Sequence, residues 1–130
     1  MKARSAANLR TAWLTGGYLL ASAIVYLSLA PATSVSMDQG WDKVYHLLAY
    51  LALMLWFAQA CERRRWPMLA TVCMGLGVLL EIAQRYSGYR TFSYDDILAN
   101  AVGVAVAWVL ALAGVNEGLR RLQQRYQRAS

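Results

Sequence analysis

The chain alternates between long apolar runs and short polar connections. Four apolar segments lie near residues 11–30, 44–60, 67–84 and 97–115. Each approaches about 20 residues, the length that a helix needs to cross a hydrocarbon core about 30 Å thick. None has the one-sided charge pattern of a helix on the surface of a soluble protein. The pattern therefore predicts four transmembrane helices.

The first apolar run follows three basic residues, as the core of a secretory signal would. It is longer than the roughly 7–15 apolar residues of a signal peptide, so we expect it to remain as a helix. A chain of 130 residues has room for one domain. The predicted fold class is all-α, an integral membrane four-helix bundle formed by residues 1–130, with a basic tail at 117–130.

The overall composition agrees with a membrane protein. Hydrophobic residues make up 58% of the chain and charged residues 15%, whereas soluble domains average about 45–50% and about 25%. The two cysteines, Cys61 and Cys73, have neither the spacing nor the companion ligands of a zinc site. We assign them no role.

The distribution of basic residues predicts how the bundle is oriented. The net charge is +6, and ten of the 13 lysines and arginines lie on one side of the proposed membrane. The positive-inside rule places that side, with both termini, in the cytoplasm. These bases then favour anionic lipids at the cytoplasmic face over nucleic acid. The segment from 117 to 128 is either an amphipathic helix on that surface or a frayed, solvated tail. The ten are Lys2, Arg4, Arg10, Arg63, Arg64, Arg65, Arg120, Arg121, Arg125 and Arg128.

Polar residues cluster at one end of the second, third and fourth apolar runs. In helices that cross in alternating directions, these ends lie on the same, extracytoplasmic face. Ionisable residues at membrane depth are costly and usually functional, so we expect one polar site beneath the outer surface. The candidate binding residues are Asp42, Lys43, His46, Glu81, Gln84, Arg90, Asp95, Asp96 and Asn100.

Several candidates on the second and third helices also have a structural interpretation. Asp42 precedes His46 by one helical turn and could orient its ring, or it could be the N-cap of the second helix. Lys43 could extend to the lipid headgroups or contact an anion. Glu81 lies in the last turns of the third helix, where the helix dipole disfavours an anion. It could simply pair with Arg85.

The start of the fourth helix carries a similar ambiguity. Ser93 and Asp96 have the spacing of a capping box, and Asn100 must find partners across the bundle. Arg90 can bind a phosphate or carboxylate through its planar fork, or clamp an acid of the cluster. A stripe of small residues continues the face of Asp96 and Asn100, which predicts that this face packs inward. The stripe is Ala99, Gly103, Ala107 and Ala111.

Four short motifs follow one another between residues 42 and 103. They are D-K-V-Y-H at 42–46 with Tyr50 after it, E-I-A-Q at 81–84, Arg90 followed by D-D at 95–96, and N-A-V-G at 100–103. In order, spacing and helix placement they resemble the VanZ-like family of membrane proteins. The resemblance implies a small integral protein of the bacterial cytoplasmic (inner) membrane. The family's namesake is linked to low-level resistance to the lipoglycopeptide teicoplanin, which supplies a context rather than a reaction.

Two functional hypotheses follow, and whether the chain is an enzyme stays open. In the first, the site binds the anionic headgroup of a membrane lipid or of a lipid-linked envelope precursor, with Arg90 and Lys43 on the anion. In the second, a membrane enzyme acts on a lipid-linked substrate. The candidate catalytic groups are His46, Glu81 and Asp96.

The cofactor is unknown, and no metal ligand set is assigned. A divalent cation is possible, because His46, Glu81, Asp42 and Asp96 offer mixed nitrogen and oxygen ligands. A third, purely structural interpretation has the polar residues hold the helices together. Interhelical hydrogen bonds average only about 0.6 kcal/mol, which is a small gain for so many ionisable groups.

Overall fold

The computed structural model describes residues 2–30, 39–88 and 91–129, and this part of the chain is helical without a strand. The all-α prediction is therefore confirmed. The predicted C-terminal tail forms a helix of its own, although its place on a membrane surface stays a prediction. The α-helices are α1 (Lys2–Leu29), α2 (Gln39–Ala58), α3 (Trp66–Ser87), α4 (Tyr94–Leu112) and α5 (Gly118–Ala129); single 3-10 turns at Arg63–Arg65 and Val115–Glu117 precede α3 and α5.

Three of the four predicted spans are long and apolar enough to cross a membrane. They lie within Ala7–Leu29, Arg63–Ser87 and Tyr94–Leu112. α2 is long enough at 20 residues, but its first turns hold Asp42, a lysine and a histidine, which lower its hydropathy. Length and composition thus give three candidate spans, and the crossing by α2 stays a prediction.

The bundle is organised around the contact between α2 and α4, the most extensive one between helices. Gly103 of α4 lies directly on the backbone of α2: a methyl group there would overlap the carbonyl oxygen of Leu47 and lie 3.1 Å from the amide nitrogen of Leu51. Ala107 and Ala111 continue this buried face, and Asp96 and Asn100 are buried on it as well. The small-residue stripe therefore packs inward, as predicted.

A pair of tryptophans fastens α1 to α2. The indole nitrogen of Trp13 donates to the carbonyl oxygen of Trp56 at 3.1 Å, and that of Trp56 donates to the carbonyl oxygen of Trp13 at 2.9 Å. The two rings stack with centroids 4.5 Å apart. Gly17 of α1 leaves room for the rings of Trp56 and Phe57, since a Cβ at this position would lie 2.9 Å and 2.7 Å from them. The two part-buried indole donors are thereby satisfied without water.

At the basic end of the bundle, side chains form hydrogen bonds to main-chain atoms near the ends of neighbouring helices. Arg10 of α1 donates to the carbonyl oxygen of Ala60, just after α2, at 3.2 Å. Gln59 accepts from the amide of Leu119 at 3.2 Å, in the first turn of α5. Leu119 is buried, at 3% exposed. The basic connection at Arg63–Arg65 and the start of the basic helix α5 therefore lie at the same end of the molecule.

We expect Gly103→Ala to lower stability by about 1–3 kcal/mol, the usual cost of adding volume to a packed interface. Unfolding of the purified protein in detergent, followed by circular dichroism, measures the loss. Gly75→Ala is the matched control, because Gly75 is also inside a membrane helix but has nothing within 4 Å of its added Cβ. Equal losses in the two variants would contradict the close approach of α2 and α4.

Candidate functional site

The polar ends of α2, α3 and α4 meet at the end of the bundle opposite the basic connections. His46 of α2 contacts Asn100 and Asp96 of α4, and Glu81 of α3 contacts the residue that precedes α4. Glu81, Asp96 and Asn100 are all buried, at 1%, 6% and 1% exposed. Residues far apart in sequence therefore form one cluster, which is the geometry expected of a site.

Two side chains bond to the main-chain amides at the start of α4: Ser93, which precedes the helix, and Glu81 of α3. Ser93 is the N-cap, and its hydroxyl oxygen accepts from the amide of Asp96 at 3.2 Å. In a capping box the side chain of Asp96 would in turn accept from the amide of Ser93. That amide instead donates to Oε2 of Glu81 at 3.0 Å. The carboxylate of Asp96 is thus not used as a cap.

His46 is held by Asn100 in a defined orientation. Its Nδ1 lies 3.1 Å from Oδ1 of Asn100, and an amide oxygen only accepts, so Nδ1 carries the proton. In the neutral ring, Nε2 then has a free lone pair. Nε2 faces Oδ2 of Asp96 at 3.9 Å, which is too long for a hydrogen bond. The two groups face each other across a small gap.

Asp42 completes this gap from α2. One ligand atom from each of Asp42, His46 and Asp96 lies within 4.8 Å of the others. The suggestion that Asp42 is the N-cap of α2 was wrong, because the helix begins at Gln39 and Asp42 lies in its first turn. The helix therefore does not need this carboxylate as its N-cap.

Tyr50 extends the cluster into the bundle and was not among the predicted site residues. It is 2% exposed, and its hydroxyl has no hydrogen-bond partner among the residues described. Its ring and the amide nitrogen of Asn100 both lie against Gly77 of α3, where an added Cβ would be 3.3 Å and 2.8 Å away. The available signal was its position one turn after His46 on the same face.

The remaining predicted site residues lie around the cluster rather than in it. Lys43 pairs with Asp95 at 2.7 Å on the exposed rim, with side chains 46% and 67% exposed. Gln84 is buried and donates to the carbonyl oxygen of Ser28 at 2.8 Å, so it fastens α3 to α1. Arg85 is exposed, unlike Glu81. Arg90 lies outside the described residues.

An apolar groove of about 680 Å³ runs along α1, where Leu76 of α3 also lines it. It ends at Leu29 and Ala30, next to the hydrogen bond between Gln84 and Ser28. The polar cluster and the groove therefore share one end of the bundle. The groove is lined by Tyr18, Ala21, Val25, Tyr26, Leu29 and Leu76, among others.

These features define a helical membrane protein with an acid-rich polar cluster at one end. The chain belongs to the VanZ/LLP1 family, whose model matches residues 3–115. It is also 34% identical over 106 residues to an uncharacterized protein of the fission yeast Schizosaccharomyces pombe. That alignment covers 78% of this chain but only 64% of the yeast protein. No solved structure matches the chain.

We expect Ser93→Ala to destabilise the protein by about 1 kcal/mol, the typical cost of losing an N-cap hydroxyl. Ser93→Thr should retain most of the stability, because threonine also caps. Thermal unfolding in detergent measures both. Ser22→Ala is the control, since Ser22 is exposed and donates only to its own helix, at the carbonyl oxygen of Tyr18. A loss in Ser22→Ala as large as that in Ser93→Ala would contradict the capping role.

Proposed function

We propose that this protein binds a membrane lipid with an anionic, phosphate-bearing headgroup at its polar end. The observation that carries the proposal is the shared end of the polar cluster and the apolar groove. An amphiphile needs both, a polar site for its head and an apolar surface for its chain. The headgroup would lie over His46 and Asn100, with the chain between α1 and α3.

The charges near the rim support an anionic head. Lys43 is half-exposed beside Asp95, and its ammonium can turn from this carboxylate to a phosphate at little cost, because exposed ion pairs are weak. Arg90 joins the proposal on its sequence position alone, as a second phosphate partner. In a bacterium, a lipid-linked envelope precursor has this chemistry. Binding it would connect the protein to envelope stress or glycopeptide resistance.

The proposed topology is a four-helix bundle in the bacterial inner membrane, with α2 as the fourth crossing helix. Ten of the 13 basic residues then lie at the cytoplasmic end with both termini. α5 would rest on that surface, with Arg120, Arg121 and Arg125 exposed to anionic headgroups while Leu119 is buried. The polar cluster would face the extracytoplasmic side.

The native cysteines report on this topology. Cys61, between α2 and α3, is half-exposed, whereas Cys73 is buried. We expect a membrane-impermeant maleimide to label Cys61 only after intact cells are permeabilised, and to leave Cys73 unlabelled. Tyr94→Cys in a Cys61→Ser background should be labelled in intact cells, because Tyr94 is 80% exposed at the other end. Labelling of Cys61 in intact cells would contradict the proposed orientation.

Lipid selectivity tests the binding function directly. We expect native mass spectrometry of the detergent-purified chain to retain phosphatidylglycerol in preference to phosphatidylcholine. Lys43→Gln and His46→Ala should each weaken this preference by roughly tenfold, as a charge-assisted contact of about 1.5 kcal/mol implies. Thr71→Ala is the control, since Thr71 is exposed on α3 and its hydroxyl donates within its own helix, to the carbonyl oxygen of Pro67. No preference in the wild-type chain, or an equal loss in Thr71→Ala, would contradict the proposal.

A second candidate function is a membrane enzyme acting on a lipid-linked substrate. It is favoured by Nε2 of His46, which faces the carboxylate of Asp96 with its lone pair available. A base in this position could take a proton from a bound headgroup or water. The same mass measurement separates the two functions. A product that accumulates with the wild-type chain but not with His46→Ala would favour catalysis over binding.

A further inference from the structure

The gap between α2 and α4 brings together groups that all accept hydrogen bonds. Oδ1 of Asn100 accepts a hydrogen bond from Nδ1 of His46. In the neutral ring, Nε2 therefore presents only a lone pair to the carboxylate of Asp96, 3.9 Å away. The carboxylate of Asp42 is in the same group. The lone pair of His46 and the carboxylate of Asp96 repel each other unless a cation lies between them.

Asp96 gives an independent indication that something binds here. Its side chain is 9% exposed, and among the described residues its carboxylate accepts no hydrogen bond; Nε2 of His46 faces it at 3.9 Å, which is too long for one. The amide that would normally bond to it, that of Ser93, donates to Glu81 instead. A buried carboxylate without a hydrogen bond is costly unless a cation neutralises it.

We propose that Asp42, His46 and Asp96 bind one divalent transition-metal ion, with Zn²⁺ as the reference cation. Bonds of about 2.0–2.2 Å to nitrogen and oxygen place two ligand atoms at most about 4.4 Å apart. The separation of 3.9 Å between His46 and Asp96 is within that limit. Within the whole group the ligand atoms lie no more than 4.8 Å apart, which is about 0.4 Å beyond that limit. One imidazole with two carboxylates suits transition metals and leaves coordination positions open.

The surroundings of His46 match those of a metal ligand. A histidine that binds a metal through one ring nitrogen usually donates its other N–H to a carbonyl or carboxylate, which fixes the ring. Asn100 holds Nδ1 in this way, while the amide nitrogen of Asn100 lies against Gly77. Asn100 is therefore a positioning residue, and its replacement should weaken the metal rather than remove a ligand.

The ion also explains how an acid-rich cluster could take an anion. Two carboxylates would repel a phosphate, but a divalent cation between them neutralises both and presents open positions toward it. This bridging role rests on the proposed function. The metal site itself does not depend on it, because its ligands come from the protein alone.

Metal binding is tested on the full chain in detergent, with any affinity tag removed and in a Cys61→Ser background to exclude a thiol ligand. After chelation and exchange into metal-free buffer, titration with ZnCl₂ followed by calorimetry should give one site per chain. His46→Ala and Asp96→Asn should abolish that site, and Asn100→Ala should weaken it about 10-fold to 100-fold. Asp95→Asn should leave it unchanged, since Asp95 is the neighbouring acid but lies on the exposed rim with Lys43.

Several results would overturn the metal site. They are the absence of a stoichiometric site in the wild-type chain, its retention in both His46→Ala and Asp96→Asn, or an equal loss in Asp95→Asn. The wild-type titration decides even if a variant fails to fold, and size-exclusion profiles identify such variants. Phosphatidylglycerol binding with and without Zn²⁺ then tests the bridge separately. Stoichiometric Zn²⁺ with unchanged lipid affinity keeps the metal site and excludes the bridge, whereas lipid binding without any Zn²⁺ site keeps only the proposed function.

Discussion

The direct contact between the backbones of α2 and α4 is the constraint on which the rest of the structure depends. Gly103 has no side chain to hold the helices apart, so the carbonyl of Leu47 lies against it. His46 is next to Leu47 in sequence, and Asn100 is about one turn before Gly103. Since the helices are this close, His46 and Asn100 come within hydrogen-bonding distance. The packing of small residues therefore sets the geometry of the polar cluster.

The N-terminus of α4 stabilises the buried carboxylate of Glu81. Glu81 is at the C-terminal part of α3, where the dipole of its own helix disfavours a negative charge. Its carboxylate nevertheless accepts from the amide of Ser93 at the N-terminus of α4, where the dipole favours an anion. This bond from α3 also satisfies the amide that Asp96 would otherwise bond. The carboxylate of Asp96 therefore does not cap α4 and faces His46 instead.

The two ends of the bundle have opposite chemistry. One end carries the arginines of the 63–65 connection and of α5. There, Gln59 accepts from the main-chain amide of Leu119, and Arg10 donates to the main-chain carbonyl of Ala60. The other end carries buried carboxylates, a histidine and an amide. A lipid bilayer opposes the burial of such groups unless they are paired or bound to a ligand. The proposed cation would pair with the buried carboxylates, and the phosphate of the proposed lipid would bind to that cation.

The sequence by itself determined the class of protein, its all-helical structure with the approximate position of α1 to α4, and the face of α4 that packs inward. Hydropathy, charge and residue size act locally or along one helix, so these features are readable without a structure. The helix ends were less readable, because hydrogen bonding continues through polar turns such as Gln39–Asp42. The partners of Tyr50 and Gln84 could not be read from the sequence because they come from other helices: Tyr50 lies against Gly77 of α3, and Gln84 donates to the carbonyl oxygen of Ser28 in α1.

Only the tertiary structure decided what each polar residue does. Asp42 could be a cap or part of a site on its spacing, and the start of α2 at Gln39 removed the first interpretation. Ser93 and Asp96 had the spacing of a capping box, yet half of that box was taken by Glu81, twelve residues before Ser93. Spacing along a chain gives the partners that are possible. Which partner is chosen depends on distances between helices, and these are set by packing.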